Sequence, residues 1–311
     1  MSNSRGDIDL VGHNIISIPA ENVGPLPSID NIIVKADSPE KQWIEDVTQQ
    51  IGDWRAKLRS TYIRWALSIN GLHIAAEKYA DPELAMHHKF TVTSLRPDDD
   101  QNINPCVIAE WDGLTASDAH RKTIPMLTAF GIIDLYANLE EVIFALYRTY
   151  LNYHPEQLLQ GNEFRELRRL KREAEADSLK CNAWETAWQK RLNDWQRKKI
   201  YDGLGQVFKR FCNTAGIKTP STYKQTTVET WAKSIDIVSF VRNALIHGET
   251  IVSEELETLC TKTKPYACGF DFKSGEPLVI QLIHLQRVDL FCEQLLSALN
   301  ISLCELAFKQ N

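Results

Sequence analysis

Apolar residues recur along most of this chain every three to four positions, the period of an amphipathic helix. Trp43, Ile44, Val47, Ile51, Trp54, Leu58, Tyr62 and Trp65 form one such stripe. Ser38-Pro39-Glu40 precedes it and supplies an N-cap, a proline at the first helical position and an acid in the first turn. The pattern predicts a helix from there to about Tyr79, with or without a break at Asn70-Gly71, ending before Asp81-Pro82. The strongest periodicity lies over 117–153, where Ile132, Tyr136, Leu139, Ile143, Tyr147 and Tyr150 share a face and Pro155 closes the run. Residues 161–213 read as helical with a long polar middle, and Gly216 to Thr222 as a loop. Val228, Trp231, Ile235, Val238, Val241 or Arg242, and Leu245 trace a further helix that stops at Gly248, glycine being the common residue just past a helix end. A looser stretch follows, and residues 285–308 predict a closing amphipathic helix.

Between these helices little strand pattern is visible. Residues 92–116 are dense in turn residues around one short run, Cys106-Val107-Ile108-Ala109, and read as a connector. Residues 277–283 are a candidate short strand. Residues 1–37 carry glycine and proline breaks with short apolar runs, and read as a loosely structured leader with room for one strand. The expectation is an all-α, multi-helix protein with at most a short strand or hairpin. It divides into a leader (1–37), an N-terminal helical extension and connector (38–116), and a helical domain (117–311) with a basic helical insertion at about 161–213.

Composition adds limits. With 43% hydrophobic and 24% charged residues, 311 residues bury a full core and are not a disordered chain. A net charge of −6 argues against a general nucleic-acid coat, so any RNA contact needs a local basic patch. No basic start followed by an apolar run opens the chain, and no stretch approaches the roughly 18 apolar residues a membrane span needs. Seven scattered cysteines, an odd number, read as free thiols in a reducing compartment, which predicts a cytoplasmic protein without a membrane partner.

One segment carries chemistry. Arg242-Asn243-Ala244-Leu245-Ile246-His247, followed by Gly248 at a helix end in an otherwise all-α chain, resembles the HEPN superfamily over residues 117–308. The resemblance implies a HEPN-like bundle and a metal-independent endoribonuclease of toxin or antiviral-defence type. It also implies a homodimer with two such motifs facing one cleft, RNA as substrate, a regulatory or antitoxin partner, and no cofactor or metal. The chemistry is sound on its own terms, because RNA brings its own nucleophile, the 2′-hydroxyl. The protein must supply proton transfer, which histidine performs near neutral pH, and a cation for the crowded phosphorane, which arginine presents as a fork of donors. Asn243 can hydrogen-bond the phosphate or hold the imidazole. On an unbroken helix, however, Arg242 and His247 diverge by about 140°. Either the helix ends between them or a second copy completes the site.

Other candidates are weaker. Glu140 falls at the margin of the stripe on the 117–153 helix, where a carboxylate can orient Arg242 or His247, or simply pair with a lysine. The tracts at 165–172 and 190–199 each hold five cations against one acid, and Arg168, Arg169, Arg172, Lys198 and Lys199 are candidate RNA contacts or solvated helix surface. Trp184, Trp188 and Trp195 among them sit at helical spacing, which predicts core packing. His87-His88 and the Cys260/Cys268 pair lack zinc spacing, and no phosphate-cradling glycine loop is present. The competing function is a catalytically silent HEPN-like module that binds RNA, nucleotide or a partner protein.

Overall fold

The computed structural model describes residues 31–262 and 268–308. Most of the expected leader, and the Lys264-Pro265 break, lie outside the described residues. Among the described residues nine α-helices and one two-stranded antiparallel hairpin make an all-α fold with a short hairpin. The helices are α1 (Gln42–Tyr79), α2 (Pro82–His87), α3 (Gly113–Tyr153), α4 (Arg165–Ala176), α5 (Cys181–Lys199), α6 (Leu204–Ala215), α7 (Val228–Ile246), α8 (Glu254–Lys262) and α9 (Leu282–Phe308). The strands are β1 (Phe90–Pro97) and β2 (Ile103–Trp111). α1 is continuous through Asn70-Gly71. The chain forms two compact units assembled from segments distant in sequence, so neither coincides with the 38–116 or the 117–311 stretch.

The first unit contains residues 60–132 and 279–286. Asp81 starts α2, its carboxylate accepting the Glu83 and Leu84 N–H groups at 2.9 and 3.4 Å. The hairpin occupies the stretch expected as a connector. Its register runs from Phe90 opposite Trp111 to Pro97 opposite Ile103, with a bulge between Val92 and Thr93. Asp98 closes the turn by accepting the Asp100 and Asn102 N–H groups. The proline and asparagine residues that suggested loop sit in a ribbon that, among the described residues, has no third strand to demand their N–H groups. Tyr79 packs its ring against Phe90 and His120 at centroid distances of 4.5 and 4.9 Å. Gly113 is required where it is, because a Cβ there would lie 2.5 Å from the Tyr79 carbonyl oxygen. The candidate strand at 277–283 is corrected: Pro277 bridges Ile251 alone, and from Leu282 the chain is already α9.

The second unit contains residues 31–59, 133–278 and 287–308 among those described. Leu135, Leu139, Ile143, Leu146 and Leu151 of α3, with Phe208 and Phe211 of α6, are fully buried at its centre. Trp188 and Trp195 are buried as their spacing predicts, and the Trp188 indole donates to Asn152 Oδ1 at 2.8 Å. Arg148 of α3 fastens α5 through Gln189, Asn193 and Gln196. α7 starts on a capping box between Thr227 and Thr230. α8 was not anticipated: it is short and acidic, with only Leu256 and Cys260 buried. The expectation that no stretch is apolar enough to span a membrane is also corrected. By length and composition alone α9 qualifies, with mean hydropathy 1.3 over an 18-residue window. More than half of that window is buried, including Cys292, Leu295, Leu296 and Leu299, as in the core helix of a folded domain.

Candidate functional site

The N-terminal half of α7 packs against α6 because Gly205 permits it. A Cβ on that residue would stand 2.6 Å from the Ala232 carbonyl oxygen and 2.3 Å from Asp236 Oδ1. The Gly205 N–H donates to the Asp236 carboxylate, which partly offsets the rise in that carboxyl's pKa caused by burial. This close approach, with α3 alongside, leaves a cavity of about 300 Å³. Tyr136 and Glu140 of α3, Ser239, Arg242 and Asn243 of α7, Lys199 at the end of α5, and Tyr201 in the turn before α6 all line it. Three of the four expected catalytic side chains therefore share one cavity.

Arg242 is its electrostatic centre. Its Nη1 donates to Asn243 Oδ1 at 2.9 Å, and its guanidinium lies 5.7 Å from the centroid of the Tyr136 ring. Its Nε is buried with no hydrogen-bond partner. A buried donor without an acceptor is costly, and it leaves the guanidinium short of one hydrogen bond. Tyr136 is held by a 3.0 Å bond from its hydroxyl to Ser239 Oγ, and burial raises its pKa. Burial also raises the Glu140 carboxyl above the ordinary carboxylate range, with Glu141 adding to the rise and Arg242 opposing it. Such a carboxyl is better suited to carrying a proton near neutrality than an exposed one. Lys199 is paired with Asp202 at 2.7 Å, and Arg210 pairs with the same carboxylate.

His247 is not in the cavity. The α7 helix runs through Ile246, and His247 is its C-cap, with φ −78° and ψ −1°. Its backbone N–H still donates to Asn243 O at 2.9 Å, while its side chain is exposed. Gly248, at φ 72°, then donates to Leu245 O and Glu249 donates to Ala244 O, the two bonds of a Schellman stop. Because the helix does not end between Arg242 and His247, their divergence is kept. A single copy of the chain separates the arginine from the histidine.

The basic tracts divide as well. Lys199 lines the cavity, whereas no residue of 165–172 does. Arg168 is spent on the backbone, donating to the Leu159 and Gly161 carbonyl oxygens. Arg169 is paired with Glu166 and Glu173 on its own helix. Arg172 lines a different hollow, with Arg168 and Lys171. Lys198 lines a third, with Asp194, Arg197 and Tyr201. Tyr201 and Ser239 were not anticipated. The tyrosine's only sequence signal is an aromatic two residues past a run of cations, and the helical stripe marks Tyr136 as core alone. A larger cavity of about 820 Å³, lined by Tyr223, Lys224, Trp231, Arg287 and Phe291 among others, holds none of the expected residues. Among the described residues no cluster of three or more His, Cys, Asp or Glu side chains is placed to hold a metal ion. No family model, no curated protein and no solved structure matches this chain.

Proposed function

We propose that the chain is a metal-independent endoribonuclease whose reaction centre is the Arg242 cavity. The observation that carries the reading is the convergence of Arg242, Asn243, Glu140 and Lys199 from three helices on one cavity, with a buried guanidinium N–H lacking an acceptor. Resemblance of the Arg242–His247 segment to HEPN ribonucleases supports the same chemistry. In the reaction, the 2′-oxygen attacks the adjacent phosphorus while the bond from phosphorus to the 5′-oxygen breaks. A base takes the 2′-proton and an acid returns one to the leaving oxygen, giving a 2′,3′-cyclic phosphate and a 5′-hydroxyl. Arg242 and Lys199 stabilise the charge on the phosphorane oxygens. Asn243 Oδ1 aims the guanidinium. Glu140 is one proton carrier, and His247 from a second copy is the other, since His247 of the same copy does not line the cavity. A toxin or defence role, restrained by a partner protein, is the biological setting this activity fits.

The decisive test is incubation of the purified protein with mixed cellular RNA in excess EDTA, followed by identification of the end groups. Cyclic phosphate and 5′-hydroxyl ends are expected, and RNA that is 2′-deoxy at the scissile position should survive. A requirement for Mg²⁺, or cleavage of DNA, would overturn the reading. Light scattering is expected to give about twice the 35.5 kDa chain mass. A second reading, a silent module that binds an anion without cutting, is favoured by one observation: Asn243 already occupies Arg242 Nη1 while His247 stays outside. It predicts RNA binding with no new ends.

A further inference from the structure

Tyr201 is 90% exposed, a large apolar ring left in water on a short 3₁₀ turn between α5 and α6. It is placed between two sets of cations. On one side it lines the cavity of Arg242 and Lys199, and on the other it lines a hollow of about 470 Å³ with Arg197, Lys198 and Asp194. Arg197 is paired with Asp194 at 2.5 Å and Lys199 with Asp202, whereas among the described residues neither Lys198 nor Arg242 makes an ion pair within 4.0 Å, Arg242 acting on Glu140 only at longer range. An exposed ring with such a cation on each flank matches the repeat of a single strand, in which a flat base alternates with a phosphate. A duplex keeps its base faces stacked within the helix and offers none to such a ring.

We infer that Tyr201 is a stacking platform for an unpaired base next to the phosphate held at Arg242, with the following phosphate at Lys198. The site therefore takes single-stranded RNA. This rests on the ribonuclease reading for the identity of the strand, but it is a claim about binding and is tested without cleavage. The probe is a 2′-O-methyl oligoribonucleotide, which lacks the attacking hydroxyl, carrying 2-aminopurine at successive positions along an unpaired run. With the parent protein, one position should show quenched fluorescence on binding, as a stacked base does. Tyr201→Ala should abolish that quench and weaken binding by roughly 5- to 150-fold, the range for loss of one base stack. Tyr201→Phe should restore both, since the ring and not the hydroxyl does the stacking. Lys198→Gln should weaken binding and reduce its salt dependence while leaving the quench at saturation. The same sequence closed into a duplex should bind more weakly than the single strand. An exposed side chain tolerates these changes, so unchanged thermal unfolding is the check on the fold. Equal binding by Tyr201→Ala and parent, no quench at any position, or no binding of the single strand at all overturns the platform. Binding with the expected quench but no cleavage of ordinary RNA would instead sink the nuclease reading and leave the platform standing.

Discussion

Arg242, Asn243 and His247 lie within six residues of one another, yet a single turn of helix leaves Arg242 and Asn243 in the cavity and His247 outside it. The Schellman stop at Gly248 comes too late to fold His247 back toward the guanidinium. If the active unit combines two copies, Arg242→Ala and His247→Ala should each lose activity, on the order of 10²- to 10⁴-fold for the proton carrier. Mixing the two inactive variants should recover part of it, because each can donate what the other lacks. No recovery would show that both groups are needed from the same chain. Glu140 has its own signature. As a base it works when ionised, and its raised pKa moves the acidic limb of the pH–rate profile upward from the usual carboxylate range near 4.5. Glu140→Gln should remove that limb and lower kcat more than it changes KM. A limb that persists in the glutamine variant would assign it to another group.

The cavity owes its walls to how closely two helices approach. Gly205 lets α6 settle on the Ala232 carbonyl and on Asp236, so a methyl group there must push the helices apart. Gly205→Ala should cost about 1–3 kcal/mol, as overpacking at a tight contact does. Urea unfolding measures the loss, and weaker oligonucleotide binding should accompany it, because Gly203, Leu204 and Val207 form the same wall. Neutral stability would show that the helices shift freely. Much at this scale was legible in the chain. The stripe on α3 and the stop of α7 at Gly248 are local patterns of spacing and of one residue type, and the marginal position of Glu140 follows from the same helical wheel. The pairing of Lys199 with Arg242 was not, because it depends on α5 turning back through Tyr201 to meet α7. The place of the hairpin was not legible for another reason: its alternation is broken by Asn104, Pro105 and the bulge at Val92, which a two-stranded ribbon tolerates.

At the scale of the whole molecule the balance of charge on α9 matters most. Asp289 is pushed up to about 6 by burial, with Glu293 adding to the rise and Arg59 opposing it, while the buried Arg55 is bound to Glu293. A carboxyl raised in the folded state holds its proton more tightly there than in the unfolded chain. Its contribution is therefore complete below about 3.8 and is lost as pH climbs through about 6. The loss is about 2–3 kcal/mol at neutral pH, because each tenfold gain in proton affinity on folding is worth roughly 1.4 kcal/mol. Asp289→Asn, which cannot ionise, should melt higher than the parent at pH 8 and no higher at pH 4. Parallel melting curves at the two pH values would mean that Asp289 is already satisfied when charged.

The ribbon of β1 and β2 has a practical side. It ends in a turn, Asp98 to Asn102, whose side chains are exposed, and it contributes nothing to the lining of the Arg242 cavity. Hairpin tips of this kind accept inserted sequence with little disturbance. A fluorescent protein or affinity peptide spliced between Asp99 and Asp100 would thus report where the molecule goes in a living cell, with both chain ends left as they are.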